Sequence, residues 1–127
     1  MATIIQEQEA DIEQKKKELL DMAKMILLVE DEPALLAVAQ KRLESSGYAV
    51  TAVETAEAAQ ASLESKLPDL ILLDLLLPKM QGEELCKLLK ADNRYKQVPI
   101  ILFTASAGDM LKLVSAIGAD DYIIKPY

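Results

Sequence analysis

The feature that most constrains this chain is an alternation of short apolar runs with segments that carry apolar residues at helical spacing. Turn or polar residues bound each of the short runs, which is typical of buried strands. The runs cover residues 25–29, 69–73, 98–103 and 122–124. Residues 48–53 alternate less cleanly after Ser46 and Gly47, which predicts a fifth strand nearer the edge of a sheet.

Helical patterns fill the intervals between these strands. Pro33 suits a first helical position, and Gly47 can end the helix. Between them, apolar residues recur at helical spacing: Leu35, Leu36, Ala39 and Leu43. Three more helices are predicted, starting behind Thr55, at Gln81 or Gly82, and behind Ser106. This alternation predicts an α/β fold with parallel strands, helices on both faces, and ligands bound beyond the carboxyl ends of the strands.

Polar residues follow the predicted strands at the edge where such ligands bind. They are Glu30, Asp31, Asp74, Thr104 and Lys125. Parallel topology brings them together although they are far apart in sequence. Three carboxylates at one edge repel one another, and a bound divalent cation would neutralise this repulsion. The chain has no histidine, and oxygen ligands alone favour Mg²⁺.

These residue types also suit phosphoryl transfer. Asp74 is the candidate nucleophile, Lys125 a fixed positive charge, and Thr104 a hydrogen-bond donor to a phosphoryl oxygen. Each residue has a structural explanation when it is taken singly. An acid pair at Glu30 and Asp31 can simply lead into a helix, and a threonine is an ordinary strand residue. An aspartate that ends an apolar strand is harder to explain, since an unpaired buried carboxylate costs several kcal/mol.

The charge balance restricts the partners. A formal charge of −7 and a pI near 4.6 oppose binding to nucleic acid or anionic membranes. No apolar run is long enough for a membrane helix, so we expect a soluble, cytoplasmic protein. Cys86 is the single cysteine and lies in a helical apolar pattern, which predicts a buried structural thiol.

Four motifs carry a resemblance to a known family. They are ILLVEDEP at 26–33, DLILLDLLLPKMQG at 69–82, ILFTA at 101–105 and DDYIIKPY at 120–127. With these pieces in this order, the chain resembles a response-regulator receiver domain of two-component signalling. The resemblance implies a flavodoxin-like (CheY-like) three-layer fold whose five-stranded parallel sheet has the order 2-1-3-4-5.

The resemblance also implies a phosphoacceptor switch rather than an enzyme. Asp74 would accept the phosphoryl group, and Thr104 and Tyr122 would form the switch pair. The implied Mg²⁺ ligands are the carboxylates of Glu30, Asp31 and Asp74 and the backbone carbonyl of Leu76. The phosphoryl group would come from a separate histidine kinase or histidine phosphotransfer protein, and a downstream protein partner would read the signal.

Two other functions fit parts of the sequence. The chain could be an interaction or dimerisation module that uses the receiver fold without being phosphorylated. A magnesium-dependent phosphohydrolase of the haloacid-dehalogenase type also uses an aspartyl nucleophile. That type needs a second aspartate two positions on, where this chain has Leu76.

Residues 1–24 have no glycine or proline and predict an amino-terminal helix before a receiver domain at 25–127. The family ordinarily adds a fifth helix after the Lys-Pro-aromatic segment, and this sequence ends at Tyr127. Ile5, Ile12 and Leu19 repeat every seven residues. We therefore expect the amino-terminal helix to replace the fifth helix, in the same subunit or exchanged within a homodimer. The alternative is a projecting helix that pairs as a coiled coil.

Overall fold

The computed structural model describes residues 10, 12, 14, 24–74, 82–104 and 110–124. The strands are β1 (Met25–Val29), β2 (Ala49–Val53), β3 (Leu70–Asp74), β4 (Ile100–Thr104) and β5 (Asp121–Ile124). The helices between them are α1 (Pro33–Ser45), α2 (Ala56–Ser65), α3 (Gly82–Ala91) and α4 (Met110–Ile117). All strand pairs are parallel, in the order β2-β1-β3-β4-β5. The predicted fold class and strand order are confirmed.

Local sequence signals set several element boundaries. Pro33 occupies the first turn of α1, where its missing N–H is not needed. The Thr55 side chain accepts a hydrogen bond from the Ala58 N–H at 3.0 Å and so caps α2. Gly47 has a φ of +98° after α1, a left-handed conformation that residues with a side chain rarely adopt. The predicted starts and stops of these helices are confirmed.

Some predicted strand limits were wrong by one or two residues. The fourth strand was expected at 98–103 but begins at Ile100. The Val98 N–H donates instead to the Tyr95 carbonyl of the preceding turn, and Pro99 has no N–H to give a neighbouring strand. The third strand was expected to stop at Leu73, yet it continues because Asp74 pairs with Phe103 of β4. This extension makes Asp74 part of the sheet.

Two apolar clusters cover the two faces of the sheet. The larger cluster packs residues of α2, α3 and α4 against one face: Ala56, Ala59, Leu63, Leu85, Cys86, Leu89 and Ile117. The smaller cluster packs Leu36 and Ala39 of α1 against Leu28 and Phe103. One face is therefore packed by three described helices and the other by one, and both support a central strand pair, β1 and β3.

The amino-terminal segment lies almost entirely outside the described residues. Ala10, Ile12 and Gln14 are helical and exposed, and Ile12 is 53% exposed. The expected helix over 1–24, its packing and its role in a dimer therefore stay predictions. Among the described residues, no helix is both long enough and apolar enough to cross a membrane.

Candidate functional site

Three acids converge where β1 and β3 end, at what we call the carboxyl edge of the sheet. Val29 is in register with Leu73, so Glu30, which follows β1, and Asp74, which ends β3, lie side by side. One carboxylate oxygen each from Glu30, Asp31 and Asp74 lies within 4.8 Å of the others. The predicted convergence of these three acids is confirmed.

The backbone fixes the buried members of this acidic cluster. The Glu30 N–H donates to the Val53 carbonyl of β2 at 3.0 Å. Glu30 Oε1 accepts a hydrogen bond from the Glu32 N–H at 3.2 Å, which orients its carboxylate. Glu30 is 1% exposed and Asp74 is 5% exposed. Asp31 is exposed, so the cluster has a solvent-facing side through which a ligand can enter.

The geometry and chemistry of the acidic cluster fit a hard divalent cation. Mg²⁺ binds oxygen at about 2.0–2.1 Å, so opposite ligands of an octahedral ion lie about 4.2 Å apart. Carboxylate oxygens within 4.8 Å of one another approach this spacing. The burial of two carboxylates together is costly unless positive charge offsets it. The residues present therefore fit the Mg²⁺ that the sequence predicts.

The other predicted site residues are described only in part. The backbone of Thr104 ends β4 and is in register with Ile124 of β5, but the description of Thr104 does not extend to its side chain. Leu76 and Lys125 lie outside the described residues. Tyr122 is half-buried and packs against the larger apolar cluster. The roles of these four residues stay predictions.

Sequence reasoning missed an acid and a base at the opposite, amino edge of the sheet. Lys90 Nζ of α3 donates to Asp120 Oδ2 at 2.7 Å and to the Val98 carbonyl at 2.9 Å. Asp120 Oδ2 also accepts from the Ile100 N–H at 2.8 Å. Burial raises the pKa of Asp120, but the hydrogen bonds from Lys90 and Ile100 and the Lys90 charge outweigh burial and lower it. These contacts tie α3 to the starts of β4 and β5.

Cys86 is buried, as its sequence pattern predicts. Its Sγ donates to the Ile117 carbonyl at 3.8 Å. Burial raises the pKa of Cys86 to about 11, although the nearby Lys90 charge acts to lower it. The thiol therefore stays protonated at neutral pH and is a structural residue, not a nucleophile.

Comparison with protein families finds one domain over most of the chain. A model of the response regulator receiver domain matches residues 26–127. The alkaline phosphatase synthesis transcriptional regulatory protein PhoP of Bacillus subtilis is 40% identical over 107 residues, which are 84% of this chain and 44% of PhoP. The phosphate regulon transcriptional regulatory protein PhoB of Rhizobium meliloti is 37% identical over 84% of this chain and 47% of its own length. The chain thus spans about half the length of these relatives.

The chain is also similar to solved structures of receiver domains and response regulators. The receiver domain of a sensor histidine kinase from Pseudomonas aeruginosa has a TM-score of 0.75 at 35% identity, covering 83% of this chain and 87% of that one. That structure has a magnesium ion coordinated in its active site cleft. The Mn²⁺-bound form of response regulator Rcp1 has a TM-score of 0.73 at 31% identity, covering 81% of each chain. The metals in both structures are divalent cations of the kind that the acidic cluster fits.

Proposed function

This chain belongs to the response regulator receiver domain family, and from that premise we propose that it is a phosphoacceptor switch that takes a phosphoryl group on Asp74. One observation carries the proposal: Asp74 ends a central strand, is 5% exposed, and lies in one cluster with Glu30 and Asp31. The chain acts in two-component signalling and catalyses only its own phosphorylation and dephosphorylation.

Asp74 suits the role of nucleophile because the pairing of β3 with β4 fixes its backbone. A carboxylate oxygen of Asp74 forms a bond to phosphorus, and the bond from phosphorus to the donor nitrogen breaks. The donor imidazole leaves with the electron pair of that bond and a proton from solvent, and an acyl phosphate remains on Asp74. Pairing with Phe103 at the end of β3 holds the carboxylate against rotation of the main chain.

Glu30, Asp31 and Asp74, with the Leu76 carbonyl, are the groups that would hold Mg²⁺. When bound, Mg²⁺ neutralises negative charge on the phosphoryl oxygens and on the carboxylates. Glu30 is oriented by the Glu32 N–H, and exposed Asp31 faces the solvent from which the ion and the phosphodonor arrive. Glu30 therefore provides a fixed carboxylate, and Asp31 provides the side of the site that is open to solvent.

The proposal assigns the remaining roles, contact with the phosphoryl group and the switch, to Thr104, Lys125 and Tyr122. The Thr104 hydroxyl donates to a phosphoryl oxygen, and the Lys125 ammonium pairs with another. Tyr122 stands two residues from Ile124, the register partner of Thr104, and its ring packs at the three-helix face. Movement of Thr104 toward the phosphoryl group changes the space beside that ring, and Tyr122 turns inward. The surface around α4 and β5 then differs between the two states.

The partners follow from the chemistry. These 127 residues contain no histidine, so the phosphoryl group comes from a histidine outside them, on a histidine kinase or a histidine phosphotransfer protein. The net charge of −7 disfavours direct contact of these residues with nucleic acid, so the signal leaves through a protein contact.

Incubation with Mg²⁺ and a small-molecule phosphodonor such as acetyl phosphate tests the proposal. We expect intact-mass spectrometry to show one added phosphoryl group, lost in base, kept in acid, and dependent on Mg²⁺. Asp74→Asn removes the adduct. Asp69→Asn, which changes an aspartate next to the other end of β3, is the matched control and retains it.

The alternative of an interaction module makes the opposite prediction. A chain that uses the receiver fold only for binding acquires no adduct with any phosphodonor. An adduct that persists in Asp74→Asn also contradicts the proposal. Continuous release of phosphate from a phosphomonoester indicates a hydrolase instead.

A further inference from the structure

Lys90, near the end of α3, contacts the two segments that lead into β4 and β5. Its side chain is only 17% exposed. Lys90 Nζ donates to the Val98 carbonyl at 2.9 Å and to the Lys96 carbonyl at 3.4 Å, both before β4. It also donates to Asp120 Oδ2 at 2.7 Å, directly before β5. An ammonium has three N–H groups, so these three acceptors satisfy all of them.

The aliphatic part of the same side chain packs on the turn from α4 to β5. Gly118 follows α4 with a φ of +82°, which is in the left-handed region. A Cβ at Gly118 would lie 3.5 Å from Lys90 Cγ and 3.6 Å from Lys90 Cβ, so this turn runs directly over the lysine stem. Lys90 therefore holds the approach to β5 at two points, Gly118 and Asp120.

Asp120 joins the starts of β4 and β5 to each other. The Asp120 N–H donates to the Ile100 carbonyl at 2.9 Å, and Asp120 Oδ2 accepts from the Ile100 N–H at 2.8 Å. The Lys90 ammonium binds the same carboxylate oxygen. β5 has four residues, and within the described part of the chain its strand partner is β4 alone. These contacts therefore hold β5 in register with β4 at the amino edge.

The same two strands carry the residues to which the proposed function assigns the switch. β4 ends at Thr104, and β5 carries Tyr122, two residues after Asp120. Alternate residues of a strand point to the same face. Asp120 contacts α3 and Tyr122 packs against the larger apolar cluster, so both lie on the three-helix face. Lys90 acts about 13 Å from the carboxyl edge, because β4 rises about 3.3 Å per residue from Ile100 to Thr104.

We propose that Lys90 is a positioning residue for the switch: it anchors β4 and β5 at the amino edge, so that Thr104 and Lys125 occupy fixed places when the phosphoryl group arrives. This inference rests on the proposed function, in which those two residues contact the phosphoryl oxygens. Lys90 itself does not touch the reacting atoms and acts through the two strands.

This placement predicts a difference between metal binding and phosphoryl transfer. Mg²⁺ binding uses the carboxylates at the ends of β1 and β3, whereas the hydrogen bonds of Lys90 go to the segments before β4 and β5. Phosphoryl transfer also needs the groups that β4 and β5 carry. Loss of the Lys90 ammonium should therefore slow phosphorylation and leave the Mg²⁺ affinity nearly unchanged. A residue that only stabilises the fold causes no such difference in a protein that stays folded.

Lys90→Met keeps most of the aliphatic stem and removes the ammonium. At saturating Mg²⁺, we expect its rate of adduct formation with acetyl phosphate to fall at least about fivefold, since small displacements of reacting groups cost large factors in rate. Its Mg²⁺ affinity, measured by isothermal titration calorimetry, should stay within about twofold of wild type, because the two sites are far apart. Lys90→Arg keeps a cationic donor and should recover part of the rate. Circular dichroism checks that each variant is folded.

Lys87→Met is the matched control on the same helix. The Lys87 side chain is 56% exposed, and its Nζ lies 3.4 Å from Glu83 Oε1. This variant should keep both the rate and the affinity of wild type. Asp120→Asn changes the partner of Lys90 with little change of shape and covers the case in which Lys90→Met does not fold. It should slow phosphorylation by a smaller factor and likewise spare Mg²⁺ binding.

The outcomes distinguish this inference from the proposed function. If Lys90→Met and Asp120→Asn both react at the wild-type rate, the inference is wrong and the proposed function stands. A rate and a Mg²⁺ affinity that fall together also overturn the inference, because the loss is then not confined to β4 and β5. A wild type that acquires no adduct contradicts the proposed function, and this inference with it.

Discussion

The two edges of the sheet use acidic residues in opposite ways. At the amino edge, Asp69 Oδ2 accepts from the Met25 N–H at 2.7 Å, and Asp120 accepts from Lys90 and the Ile100 N–H. At the carboxyl edge, Asp74 lies with two more carboxylates whose oxygens are within 4.8 Å of one another. N–H groups and an ammonium hold the acids at the amino edge, whereas the three acids at the carboxyl edge also lie close to one another.

This difference separates acids that stabilise the fold from acids that are suited to binding a cation. An acid that meets donors lowers the free energy of the folded state on its own. Acids that lie close to one another also repel, and this repulsion raises the free energy of the folded state by an amount that a bound cation reduces. The contrast predicts that substitutions at the two edges have different and sometimes opposite effects.

The largest expected effect concerns the metal. Asp31→Asn removes one of the three carboxylates of the acidic cluster and should weaken Mg²⁺ binding at least about tenfold, because Asp31 is one of the proposed ligands. Asp69→Asn at the amino edge should leave the affinity unchanged. Isothermal titration calorimetry measures both. An equal loss of Mg²⁺ affinity in the two variants would contradict the distinction between the two edges.

Stability should change in opposite directions at the two ends of β3. Without Mg²⁺, Asp74→Asn should raise the free energy of unfolding by about 1 kcal/mol, because it removes one of three crowded charges. Asp69→Ala should lower it by about 1 kcal/mol, because the Met25 N–H loses its acceptor. Added Mg²⁺ should stabilise the wild type and not Asp74→Asn. Urea unfolding with and without Mg²⁺ measures these changes, and a loss of stability in Asp74→Asn contradicts the argument.

The smallest expected effect is the pH dependence of the Lys90 contact. The pKa of Asp120 is lowered from its ordinary value of 3.8, so its stabilising contribution is present above that value and is lost as pH falls through the lowered pKa. Asp120→Asn should cost less than about 1 kcal/mol at pH 6, since the side chain is 49% exposed. The difference in the free energy of unfolding between wild type and variant should narrow as pH falls below 3.8, which urea titrations at a series of pH values measure. A stability difference between wild type and variant that grows toward low pH would contradict a lowered pKa for Asp120.

Much of the fold could be predicted because it rests on periodic patterns. Apolar runs bounded by turns locate the strands, and Thr55 and Gly47 mark helix ends through chemistry that is local in sequence. The acidic cluster could be predicted as well, because parallel topology brings together the ends of β1 and β3.

The contacts that were not predicted join residues far apart in sequence. No rule of sheet topology indicates that these residues meet. Lys90 meets Asp120 thirty residues later, and nothing near either residue marks the pair. Asp69 reaches the Met25 N–H across 44 residues in the same way. Periodicity alone also cannot tell that Val98 is held by Tyr95 in a turn instead of by a neighbouring strand.

The most direct test of the central claim locates the phosphoryl group within the protein. Borohydride reduces an aspartyl phosphate to homoserine, and trypsin then releases residues 67–79, a peptide that contains both Asp69 and Asp74. Fragmentation of this peptide by tandem mass spectrometry compares the two edges within one molecule. We expect homoserine at position 74 and intact aspartate at position 69. Homoserine at position 69, or in neither place after incubation with Mg²⁺ and a phosphodonor, would contradict the account.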